Sequence, residues 1–199
     1  GVAIAGGGAD SNGVVTTTTK AYVTNSSVTL GGGMTINVQD TSIASALVET
    51  TAVAAGIGFA AASSTATTTL RPTVAATVSN STVTAAGDIA IGSDSKTWGS
   101  VRAEGNSFGL FAAAGSFALS TLDPTVVATI TGGSVTSTVG GILLASRYNT
   151  VTNSDGEFLN ATTALLPVAL RPASPLPLGG LAEVQASSGG IVAASGGYA

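Results

Sequence analysis

Ten Asp or Glu and six Lys or Arg are nearly all the ionisable side chains in 199 residues, and histidine and cysteine are absent. The chemistry open to such a set is narrow. Without histidine the chain lacks the commonest general base and the commonest metal ligand. Without cysteine it has no thiolate metal site and no disulfide framework, and it is compatible with any redox compartment. What remains is a pair of carboxylates, the tools of glycoside cleavage, one as acid and one as base or nucleophile. Asp94 and Glu104 are the pair to consider, because Arg102 is the one arginine near several acids. Aromatic residues that could line a sugar subsite make up only 5% of the chain. Solvation of turns and corners accounts for the carboxylates more simply. The chain is therefore read as not an enzyme, with a β-helix polysaccharide-degrading enzyme as the alternative.

Three further patterns carry chemistry by type. Asp155-Gly156-Glu157 is an oxygen-rich turn, so Asp155 and Glu157 are the candidate ligands for a structural cation. Aspartate does not recur at fixed spacing, so the glycine/aspartate calcium repeat is missing, and no cofactor is expected. Asn25, Asn80 and Asn160 each open an Asn-x-Ser/Thr acceptor for glycosylation. Asparagine also tolerates left-handed turns, and Gly132 stands where Asn80 stands one repeat earlier, which favours backbone geometry as the cause. The threonine runs at 16–19 and 67–69 could form the flat face of an ice-binding solenoid, but the later repeats do not continue them as regular ranks.

The elements that must position these residues are strands. Charged residues are 8% of the chain, against about 25% in ordinary soluble domains. Thr, Val and Ser are abundant, apolar residues alternate with period two, and Gly or Asn punctuates too often for helices. No run reaches the roughly 18 apolar residues of a spanning helix; the longest candidate, 164–178, is broken by prolines, so the chain is not expected to span a membrane. A net charge of −4 with scattered basic residues excludes a nucleic-acid surface.

The strands recur. PTVAATVSNSTVTAAGDIAIGS from Pro72 and PTVVATITGGSVTSTVGGILLAS from Pro124 share their order of Pro, Thr, Val, Gly and Ile. Corners are marked by Pro72, Pro124 and Pro172, where a missing ladder donor is tolerated, and by Gly87, Gly140-Gly141 and Gly189-Gly190. Four circuits follow, approximately 1–57, 58–108, 109–155 and 156–199, forming one repeat domain. Stacking equal circuits puts each strand in parallel beside its copy, about 4.8 Å away. The expected fold is all-β, a parallel β-solenoid (β-helix) of about four flattened circuits without caps. Two coils of about 25 residues per repeat are the second choice. Open ends imply part of a longer rod or a subunit that stacks on itself.

Pro72-Thr73-Val74-Ala75-Ala76-Thr77, its copy Pro124-Thr125-Val126-Val127-Ala128-Thr129, the Val-Thr/Gly/Ile runs after them and the Ala/Thr strands between carry a resemblance. The pattern resembles the long β-strand repeats of bacterial filamentous surface proteins, the filamentous-haemagglutinin-like adhesins and leukotoxin-like repeat proteins. It covers most of the chain; Pro167, Pro172, Pro175 and Pro177 depart from its rhythm. The resemblance implies a secreted or surface-attached rod, an extracellular filament, adhesin or matrix protein. Its partners would be itself and host or community surface glycans. The segments after the repeated corner differ most, 93–108 against 146–157, and specific contacts are expected there.

Overall fold

A computed structural model describes residues 2–149 and 179–199. The expected corner Pro172, the candidate ligands Asp155 and Glu157, and Asn160 lie outside the described residues. Within them the chain is all-β, with twelve strands and no helix. Every strand pairing is parallel.

The strands fall into three sheets that the chain visits in a fixed order. Sheet 1 holds β1 (Val2–Val15), β5 (Ile57–Leu70), β8 (Phe111–Leu122) and β12 (Val192–Tyr198). Sheet 2 holds β2 (Thr18–Thr24) and β3 (Ser27–Leu30) beside β6 (Thr73–Ala85), with β9 (Thr125–Ser137) on the far side. Sheet 3 holds β4 (Met34–Val53) and β7 (Ile89–Phe108), with β10 (Ile142–Tyr148) and β11 (Gly179–Gly189) in line along the other edge of β7.

Alternation decides what each sheet buries. In β6, Val74, Ala76 and Val78 point inward and are fully buried, while Thr73, Ala75 and Thr77 point out. Asn80, at φ 48°, sits between Ser79 and Ser81 in a left-handed conformation. The extra residue shifts the inward phase to Ser81, Val83 and Ala85. These side chains pack on Ile36, Val38, Ile89 and Ile91 of sheet 3. Burying each large aliphatic side chain contributes about 1.5–3 kcal/mol. Further along sheet 3, Ala46, Val48, Val101 and Ala103 meet Ala66 and Ala118 of sheet 1. Sheet 3 is thus the long wall, faced by sheet 2 at its start and by sheet 1 along the rest. Small inward residues let the walls close. Two of the inward hydroxyl contacts run between passes, Ser64–Ser116 at 3.1 Å and Thr68–Ser120 at 3.1 Å.

The register differs from the fourth circuit expected at 156–199. Tyr148 pairs with Ser95, and Gly179 pairs with Trp98, so β10 and β11 share one edge of β7 with only Lys96 and Thr97 between their registers. β11 therefore completes the third pass, and only β12 begins a fourth. Gly189 and Gly190, expected at the same corner as Gly87 and Gly140-Gly141, instead join sheet 3 to sheet 1. The same Gly-Gly-Ile triplet occurs at 140–142 and 189–191, which is why the two corners look equivalent in the sequence.

Asn149 closes the break between β10 and β11. Its side-chain oxygen accepts from the Thr97 backbone N–H at 2.8 Å, and its amide nitrogen donates to the Thr97 carbonyl at 3.3 Å. The side chain replaces a missing strand neighbour for a residue that is fully buried. Asn149→Ala is expected to lower unfolding free energy by about 1–3 kcal/mol, because Thr97 keeps unsatisfied groups in the interior. Asn149→Gly should lose nearly as much even though φ is 48° here, which separates lost hydrogen bonds from backbone strain. Urea titration followed by circular dichroism checks this, and an unchanged midpoint in both variants would refute it.

Candidate functional site

The corners are built by backbone geometry. Pro72 is fully buried between β5 and β6, and its carbonyl accepts from Thr125 N–H in the next pass at 2.8 Å. Pro124 holds the same station between β8 and β9. At the corner from sheet 2 to sheet 3, Gly87 N–H donates to the Gly32 carbonyl and Gly141 N–H donates to an Asp88 carboxylate oxygen at 2.7 Å. A Cβ on Gly140 would lie 2.6 Å from the Asp88 nitrogen, so only glycine lets the passes approach this closely. Asn25 and Asn80 stand at φ 50° and 48°, and Gly132 at 68°, in one stack at the bend of sheet 2. The structure thus gives Asn25 and Asn80 a backbone role.

The carboxylates separate. Asp94 and Glu104 both point outward from β7 but lie ten residues apart, roughly 33 Å along a strand. Acid/base pairs for glycoside cleavage sit within about 9.5 Å. A closer pairing is one the sequence analysis missed. Glu49 stands opposite Glu104 in register, Arg102 ion-pairs with Glu104, and Glu183 stands opposite Arg102. An offset of 55 residues between the first two passes brings Glu49 to Glu104, and an offset of 81 brings Glu183 to Arg102; the 52-residue repeat read from the sequence gives neither. Asp40 is different again: it accepts from Thr17 Oγ1 at 3.0 Å and Ser42 Oγ at 2.7 Å at the junction of the three sheets. Among the described residues no group of three potential ligands converges on a metal position.

Three outer faces result, with different chemistry. The outer face of sheet 3 carries the charges and amides. At its start Asn37, Gln39, Asp94 and Arg147 surround a shallow depression floored by Gly92 and Ala145. The segment 93–108, expected as a variable arm, forms most of the central strand β7. Trp98 is buried there against Ile43 and Leu181. The outer face of sheet 2 is rich in hydroxyls, with Thr77 beside Thr129 and Thr24 beside Ser79. The outer face of sheet 1 is apolar at one end and threonine-bearing at the other. Thr65, Thr67 and Thr69 point out of β5, but their neighbours in β8 are Phe117, Leu119 and Thr121, so the rank expected of an ice-binding face is interrupted.

Comparison of the chain with models of known families, with curated proteins and with solved structures gives no match. No helix among the described residues is long and apolar enough to cross a membrane.

Proposed function

We propose that the chain is a stretch of parallel β-solenoid that builds an extracellular filament or surface rod. The observation that carries the reading is the repeated order of sheets 1, 2 and 3, with parallel pairing of each strand to its counterpart in the neighbouring pass. A chain that returns to the same three sheets advances one strand spacing, about 4.8 Å, per pass. Among the described residues β1, β2, β3 and β4 are paired on one edge only, and so are β9, β10, β11 and β12. Such edges are templates for further strands. The partner is accordingly the chain itself, as neighbouring passes of the same protein or as further copies. The reading is structural and non-catalytic. Surface glycans are the second partner, and the amide, carboxylate and guanidinium groups of Asn37, Gln39, Asp94 and Arg147 supply suitable hydrogen-bonding chemistry.

Negative-stain microscopy of the purified native assembly tests the proposal. Rods of uniform width and variable length, with a meridional reflection near ~4.8 Å in aligned samples, are the expected result. Isotropic particles of one fixed size at all concentrations would refute it.

A further inference from the structure

The outer face of sheet 1 is apolar and exposed, and its relief is regular. Ile4, Phe59, Phe111 and Val192 stand in register across the four strands. They are 83%, 48%, 37% and 56% exposed, respectively. The Phe59 and Phe111 rings stack at 4.7 Å, which makes this row a continuous ridge. Two outward rows of small residues follow: Gly6, Ala61, Ala113 and Ala194, then Gly8, Ser63, Gly115 and Gly196. Beyond them Phe117 and Tyr198 stack at 5.6 Å. The face is therefore a trough of Gly, Ala and Ser between two ridges, and Asp10 is the one charged residue in these rows.

We propose that this face packs laterally against the same face of a second copy of the chain. Three features select that occupant. A ridge one row wide lies beside a trough two rows wide, so a two-fold axis along the stacking direction seats each copy's ridge in the other copy's trough. Ridge side chains recur at the strand spacing of about 4.8 Å, and a complementary surface must repeat at that spacing, as another stack of parallel strands does and a lipid surface does not. Finally, Gly and Ala rows permit the close approach of two flat sheets that interdigitating packing needs. The face from the row of Val2 to the row of Tyr198 projects to roughly 26 Å by 19 Å, about 500 Å². A stable complex usually covers about 800 Å² per partner. One copy therefore pairs weakly, and pairing tightens as passes are added along a rod.

The pairing is measured on the isolated chain, so it does not depend on the filament reading; that reading only extends it to fibre width. Sedimentation equilibrium across micromolar to millimolar concentrations should show wild-type mass rising from one copy toward two. Ala113→Lys in the trough and Phe59→Lys on the ridge should each hold the mass at one copy, with unchanged circular dichroism, because both side chains point to solvent. Thr77→Lys on sheet 2 should associate like the wild type. In fibres, Ala113→Lys should halve the width and leave the length. A wild-type mass fixed at one copy, a mass rise that survives both variants, or Ala113→Lys fibres that shorten without narrowing would each overturn the proposal.

Discussion

Replacing Ile89 by aspartate is expected to abolish cooperative folding. Ile89 opens β7, the strand of sheet 3 with neighbours on both edges, and stands between Met34 and Ile142 in register. It is fully buried in the cluster formed with Ile36, Ile91, Val78 and Val83, and that cluster contains no basic side chain. A carboxylate placed there loses its hydration without gaining a partner, at an effective cost of several kcal/mol for the ion. Truncation at the same site measures the apolar part alone. Ile89→Val should cost about 0.5–1.5 kcal/mol and Ile89→Ala about 2–5 kcal/mol. A domain has only about 5–15 kcal/mol in total, so aspartate removes most or all of it. Ala90→Asp is the control, because the next side chain along β7 points outward and should change stability by no more than about 0.5 kcal/mol. Thermal and urea unfolding followed in the far ultraviolet check the series. A native-like melt for Ile89→Asp, or equal losses at 89 and 90, would contradict the assigned inner face.

Gly133→Val should be the second most damaging single change. Gly133 has φ +77°, and a Cβ there would lie 2.1 Å from the Ser81 carbonyl oxygen and 2.6 Å from the Ser81 nitrogen. Those atoms are backbone, so the pass below must shift. The left-handed conformation alone costs a non-glycine residue about 1–3 kcal/mol, and a β-branched side chain is worst suited to it. The steric overlap adds to this, and the total is expected to exceed about 3 kcal/mol. Gly132→Asn should be tolerated within about 1 kcal/mol, since asparagine already occupies the stacked stations Asn25 and Asn80 at similar φ, and the nearest atom is the mobile end of the Asn80 side chain at 2.5 Å. Gly115→Thr is a useful contrast: no atom lies within 4 Å of its Cβ, and threonine favours an extended strand. Comparable losses at 132, 133 and 115 would show that glycine is needed there for reasons other than backbone approach.

These contrasts mark what was legible beforehand. The strand character of the chain, the repeat and the turning points at Pro72, Pro124, Gly87 and Gly140 could be read directly, because proline, glycine and period-two alternation act on the chain locally. The bend at Asn80 was legible too, through the exchange of asparagine for glycine at 132. The candidate site was less so. Asp94 and Glu104 looked close because they lie on one short segment; extended backbone holds them far apart, whereas Glu49 and Glu104 meet across a ladder. Phe111 and Phe117 lie on the outer face of sheet 1, and their stacking on Phe59 and Tyr198 depends on the register between strands.

The sequence by itself determined strands, corners and the inward or outward sense of side chains within each strand, since all three follow from φ preference and a two-residue period over a few consecutive positions. Only the tertiary structure decided which strands are neighbours, that β11 finishes the third pass, and which side chains share a row. Those depend on register between segments 52 to 81 residues apart. A triplet reused at two different corners gives the same local signal in two different registers, because ladders are selected by the fit of whole inner faces.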